Sequence, residues 1–119
     1  MKLINSFKFA ILGIFAGFKF ERNMKIHLLV SIIAIAMGFF LQINEVKWLV
    51  IILSISIVIT AELFNTAIEK IVNGIVKSNP ERYDEMGLPK DMAAGAVLVA
   101  AIASLIVGLI IFLPYLIKI

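Results

Sequence analysis

The stretch AELFNTAIEKIVN sets Glu62, Asn65, Glu69 and Asn73 three and four residues apart. At 100° per residue the four fall within about 80° of a helix circumference, in a stripe roughly 16 Å long. The thirteen residues upstream of Ala61, WLVIILSISIVIT, carry no charge. A carboxylate in so apolar a helix costs roughly 2.5–3.5 kcal/mol near the membrane centre. An amide can serve as glue between membrane helices, and Asn65 alone would fit that reading. Two carboxylates do not, because glue needs no net charge and each buried anion demands a partner. Snorkelling toward headgroups suits Glu69 better than the deeper Glu62. The pair reads as a functional site.

Three more charged residues stand where they can converge on that stripe: Glu21 in KFERN, and Lys90 with Asp91 in LPKD. Carboxylates and a basic group at one membrane surface suit Mg²⁺ and phosphate, a hard cation with oxygen ligands. Arg82, Asp84 and Glu85 read as solvated surface charge. Neither GxxxxGK[ST] nor GxGxxG occurs, so a nucleotide site here must rest on metal and side chains. The absence of cysteine excludes disulfides, thiolate nucleophiles and Cys-based metal sites. The single His27 cannot build a zinc site without several carboxylate helpers.

The elements that must carry these residues are membrane helices. Of the 119 residues, 62% are hydrophobic, where a soluble globule is nearer half. The chain is short enough for a single domain, residues 1–119, and too short to hide that surface in a water-facing core. Three stretches can cross a hydrocarbon layer of about 30 Å: residues 26–43, 47–72 and 91–117. Trp48 and Tyr115 sit where interfacial aromatics belong. Residues 1–22 are interrupted by Lys2, Lys8 and Lys19, and their apolar residues recur at helical spacing, as in an amphipathic surface helix. A signal peptide fits less well, since no small-residue cleavage site follows. Pro80, Gly87 and Pro89 predict a loop over 74–90. Ala93, Ala96, Ala100 and Ser104 form a small-residue face for close helix packing.

Nine basic residues flank the first span's start or lie between the second and third; only Lys47 and Lys118 lie opposite. That asymmetry predicts a multi-pass protein of a bacterial cytoplasmic membrane, with the N-terminus, the 74–90 segment and the stripe's far end on the cytoplasmic side. A net charge of +3 is no argument for nucleic acid, and none is expected as a partner. Three helices hardly enclose a polar site alone, so oligomerisation is the natural way to bury the stripe.

The block AELFNTAIE, followed by KDMAAGAVL, resembles the small prokaryotic membrane-embedded lipid kinases, the diacylglycerol kinase and undecaprenol kinase family. FKFERN before the first span and IIFLP near the end extend the likeness over nearly the whole chain. By overall likeness it is closer to the undecaprenol kinase branch. The resemblance implies an all-α homotrimeric bundle, three spans and a surface helix per chain, with active sites shared between subunits. It implies ATP and a lipid alcohol as substrates and Mg²⁺ as cofactor. Residue by residue, Glu62 matches the base that takes the lipid hydroxyl proton, and Glu62 with Ala94 matches lipid-contacting positions. Glu21 and Glu69 match the carboxylates that hold Mg²⁺ on the nucleotide. Asn65 matches an amide of the site, and Lys90 and Asp91 match the nucleotide-contacting pair. Asn73 stands at the nucleotide side where the family commonly has Asp. Undecaprenol is the expected acceptor and diacylglycerol the alternative. A short proton-coupled transporter and an inactive membrane scaffold are the rival classes.

Overall fold

A computed structural model describes residues 2–117, and Lys118 of the charge asymmetry lies outside the described residues. The elements are α1 (Lys2–Phe20), α2 (Arg22–Phe40), α3 (Glu45–Ser78), a 3₁₀ turn (Pro80–Arg82) and α4 (Tyr83–Ile117). Each of the four α-helices is long and apolar enough to cross a membrane by length and composition. The molecule measures 57 × 40 × 20 Å.

The centre is an α3–α4 hairpin whose seam follows a 3.5-residue repeat. On α3 the residues Ile51, Ile55, Val58, Glu62, Asn65, Glu69 and Val72, in steps of four and three, are all buried or half-buried. On α4 the matching series is Ala93, Val97, Ala100, Ser104, Val107 and Ile111. Steps of four and three keep one face turned toward a neighbour crossing at a shallow angle. Ala93 and Ala100 let the backbones approach. Ser104 Oγ donates to the Ser54 carbonyl at 3.3 Å, which ties the two helices directly. Ala96, expected on this face, is exposed. It sits about 60° away from Ala93 around the helix, outside the seam that Val97 occupies instead.

One end of the hairpin is closed by apolar packing. Ile43, Ile51, Ile111 and Phe112 form the buried cluster, with Met37, Trp48 and Tyr115 against it. Lys47 Nζ donates to the Tyr115 hydroxyl at 2.8 Å and lies 4.6 Å from the ring centroid. The interfacial positions expected for Trp48 and Tyr115 thus lie at this same end.

The α2–α3 turn explains why α2 stops at Phe40, where the first span was expected to reach residue 43. Ile43 N–H donates to Gly38 O at 3.2 Å and Gln42 N–H to Phe39 O at 3.3 Å. That pair of bonds, with Gln42 at φ 54, is a Schellman end, a conformation that favours glycine. Asn44 then caps α3, its Oδ1 accepting from Lys47 N–H at 3.0 Å. Gln42→Gly is expected to raise stability by about 0.5–1 kcal/mol, relieving the side chain's αL cost. A detergent-solubilised thermal melt checks this, and a fall in midpoint would contradict the reading.

The predicted loop over 74–90 is mostly helix. α3 runs on to Ser78, only Asn79–Arg82 turn the chain, and α4 starts at Tyr83. Pro80 opens the 3₁₀ turn, where its missing N–H costs nothing. Pro89 lies inside α4 and frees the Glu85 carbonyl, but Glu85 is exposed, so water can satisfy it. Gly87, also within α4, costs about 1 kcal/mol against alanine and is outweighed by the long helix around it. The consequence is functional: α3 and α4 continue side by side past the carboxylate stripe.

Candidate active site

α3 presents its polar stripe as a gradient of burial. Glu62 is 2% exposed and Asn65 5% exposed, Glu69 is half-buried, and Asn73 is exposed. The gradient arises because the seam residues Glu62, Asn65 and Glu69 face α4 and α2, while Asn73 lies one position past the seam residue Val72. Asn65 Nδ2 donates to Glu69 Oε1 at 3.2 Å, one turn along. That bond fixes Glu69 and leaves its second oxygen uncommitted. Three side-chain atoms of this region are buried without a hydrogen-bond partner among the described residues: Glu62 Oε2, Asn65 Oδ1 and Thr66 Oγ1. Unpaired buried polar atoms cost about 1–3 kcal/mol each, so a cluster of three marks a place prepared for something else to bind.

Past the stripe, the extended ends of α3 and α4 enclose a cleft of about 650 Å³, lined by Val72, Asn73, Tyr83, Asp84, Lys90 and Asp91 among others. Lys90 Nζ donates to Asn73 Oδ1 at 3.2 Å across it. The sequence-derived pair Lys90 and Asp91 therefore does reach the stripe's outer end. Because Asn73 is neutral, Lys90 is held in place without its charge being cancelled, which suits a site for an anion.

On the other side, toward the Lys47–Tyr115 end, α2, α3 and α4 border an apolar groove of about 460 Å³. His27 lines its upper part, and His27 Nε2 lies 3.6 Å from Glu62 Oε2. Along α3, Glu62 follows Val58, the last α3 residue to line the groove, and precedes Val72, the first to line the cleft; it lines neither itself. Sequence reasoning gave His27 no role; a lone imidazole in the apolar span 26–43 was the signal available.

Glu21 occupies the break between α1 and α2. It is the N-cap of α2, yet its side chain makes no capping bond, and Oε1 lies 3.8 Å from Lys70 Nζ on α3. Lys70 directly follows Glu69, so Glu21 is brought to the same level as the stripe. Among the described residues no three carboxylate or imidazole groups cluster as metal ligands. Ala94 is exposed, about 100° round α4 from the buried Ala93 and off the seam that packs on α3. α1 docks by Gly17, where an added Cβ would stand 2.8 Å from Leu63 Cδ2. The close approach sets the end of α1 beside the residue that follows Glu62.

Comparison with known proteins identifies the family. The family model described as prokaryotic diacylglycerol kinase matches residues 8–112. The undecaprenol kinase of Bacillus subtilis is 36% identical over 113 residues, covering 95% of this chain and 89% of its own. The diacylglycerol kinase of Synechocystis sp. is 37% identical over 113 residues, covering 94% of this chain and 63% of its own. The diacylglycerol kinase of Haemophilus influenzae is 32% identical over 111 residues, covering 92% of each chain. No solved structure gives a significant match. The chain belongs to the prokaryotic diacylglycerol kinase family, a family of lipid kinases.

Proposed function

We propose that this chain transfers the γ-phosphoryl group of ATP to the hydroxyl of undecaprenol, at the cytoplasmic face of a bacterial membrane. The observation that carries the reading is the position of Glu62, a buried carboxyl with an unpartnered oxygen, on α3 between the stretch that lines an apolar groove and the stretch that lines a polar cleft. In this arrangement the groove takes hydrocarbon and the cleft takes the nucleotide. Glu62 accepts the proton of the lipid hydroxyl as that oxygen attacks the γ-phosphorus and the ADP oxygen leaves. Lys90 draws the phosphates in, Asp91 contacts the nucleotide beside it, and Asn65 holds Glu69. Positioning and electrostatics supply most of such a reaction, since the phosphoryl group itself asks for little covalent help.

Mg²⁺ fits this donor set. It binds through one or two carboxylates, with waters and substrate phosphates filling the octahedron, so a three-ligand protein cluster is not required. Glu69, with one oxygen free of Asn65, and Glu21 at the same level would hold it. When bound, the ion neutralises charge on the phosphate oxygens.

One feature favours a polyprenol over diacylglycerol. The groove lining is mostly apolar, and two of its three serines, Ser31 and Ser104, spend their hydroxyl protons on the carbonyls of His27 and Ser54. An isoprenoid needs no such donors. The relatives named diacylglycerol kinase support the glycerolipid as the second reading.

The working unit in this proposal is a homotrimer with sites completed between subunits. Extensive exposed apolar surface on α2 and α4, and three unpartnered polar atoms at the site, support an assembled form. α1, which is joined to the bundle chiefly near Gly17 and carries Lys2, Lys8 and Lys19, lies along the membrane surface in this reading. The test is a competition assay with protein in detergent, Mg-ATP, undecaprenol and diacylglycerol, with subunit number measured by light scattering. Preferential transfer to undecaprenol is the expected result. Preference for diacylglycerol overturns the substrate, and transfer to neither by folded protein overturns the reading.

A further inference from the structure

We propose that His27 is a positioning residue for Glu62, holding the carboxyl in the orientation from which it takes the lipid hydroxyl proton. This rests on the reading of Glu62 as the base. Glu62 Oε2 is buried without a hydrogen-bond partner among the described residues, and His27 Nε2 on α2 lies 3.6 Å from it. The separation is longer than a formed hydrogen bond, as acid–base contacts often are before substrate tightens them. An imidazole with its proton on Nε2 can donate to that oxygen. No side chain of its own helix bonds to Glu62: Asn65 Nδ2 is committed to Glu69, and Thr66 Oγ1 one turn on makes no hydrogen bond.

The placement is supported from both sides. His27 stands near the start of α2, and its neighbour one turn on, Ser31, is buried, with its hydroxyl donating to the His27 carbonyl at 2.7 Å. His27 is itself a groove-lining residue, with its side chain 20% exposed, whereas the carboxyl behind it is sealed. A hydroxyl arriving along the groove therefore meets the imidazole edge on its way to Oε2. That gives the ring a steering role: it holds Oε2 on the α2 side, beside the imidazole that lines the groove. A carboxylate free to rotate would spend part of its time with neither oxygen in line, and small misplacements of a reacting group cost heavily in rate.

The experiment is a double-mutant cycle in the full chain, with His27→Leu, His27→Gln, Glu62→Gln and His27→Leu/Glu62→Gln assayed for phosphoryl transfer and thermal stability. His27→Leu is expected to lower kcat on the order of 10- to 100-fold with the KM for ATP unchanged. His27→Gln, which keeps a donor of similar reach, should recover at least part of that loss. The double variant should be no slower than Glu62→Gln alone, because His27 acts only through Glu62. Additive losses, or a His27→Leu loss that Gln does not relieve, would overturn the proposal, as would full activity of His27→Leu. A melting temperature that falls in step with activity for both His27 variants would also overturn it, showing a packing role. If Glu62→Gln itself keeps full activity, the failure belongs to the reading of Glu62 as base.

Discussion

Glu62→Gln is expected to reduce phosphoryl transfer by about 10²–10⁴-fold, the usual contribution of a positioned general base. The amide has nearly the same shape, so the α3–α4 seam that encloses it should survive. Replacing a buried ionisable group by a neutral isostere removes a desolvation cost, and stability should hold or rise. The measurement pairs single-turnover transfer from ATP with a thermal melt and subunit number. Loss of transfer with an intact assembly supports the base assignment. Loss of both together would mean that Glu62 holds the bundle, and the burial of its side chain would then be structural. The KM for ATP should change little, because Glu62 sits on the groove side of the stripe, about 16 Å along α3 from Asn73. An inactive scaffold would tolerate the substitution outright.

Lys90→Met should cost roughly 10- to 150-fold in kcat/KM for ATP, matching about 1.5–3 kcal/mol for a hydrogen bond to a charged group. Lys90 lines the cleft between the extended ends of α3 and α4 and has one partner there, the neutral Asn73 at 3.2 Å. Methionine keeps the aliphatic stem and removes only the charge and its donors. The lipid KM should stay constant, since the groove lies at the other end of the stripe. Asn73→Asp tests the same contact in the opposite sense. An aspartate would turn the Lys90 hydrogen bond into an ion pair and compete with phosphate for the ammonium group. Its KM for ATP should rise a few-fold at low ionic strength and less in salt, which screens exposed pairs. An unchanged KM in both variants would remove Lys90 and Asn73 from the nucleotide site.

Much of the stripe is legible in the sequence. Its four residues follow helical spacing, which is a property of one segment and needs no partner to be read. What spacing does not carry is depth. Glu62 and Asn73 look equally placed on a helical wheel, yet one is sealed and the other exposed, because the seam drifts by about 20° per heptad relative to a straight helix. The same drift explains Ala96, which shares a rough face with Ala93 but lies outside the seam that Val97 and Ala100 follow.

The 74–90 segment shows a different limit. Pro80, Gly87 and Pro89 are honest local signals against helix, and each does carry a local cost. The long helices on either side outweigh that cost, and the turn shrinks to Asn79–Arg82. Only then do α3 and α4 run far enough together to make the cleft, so the nucleotide-side geometry depended on a feature that local propensity argued against.

By itself the sequence determined that the chain is made for a membrane, that α3 carries carboxylates and amides on one face, and that its blocks match a lipid kinase family. Those properties reside in composition, helical period and the order of residues along one chain. Tertiary structure alone decided which residues meet: His27 with Glu62, Glu21 with Lys70, and Lys90 with Asn73. These partners lie 35, 49 and 17 positions apart in the sequence. Their contacts are set by how turns end helices and how seams choose a crossing angle, and no periodicity within a single helix records either.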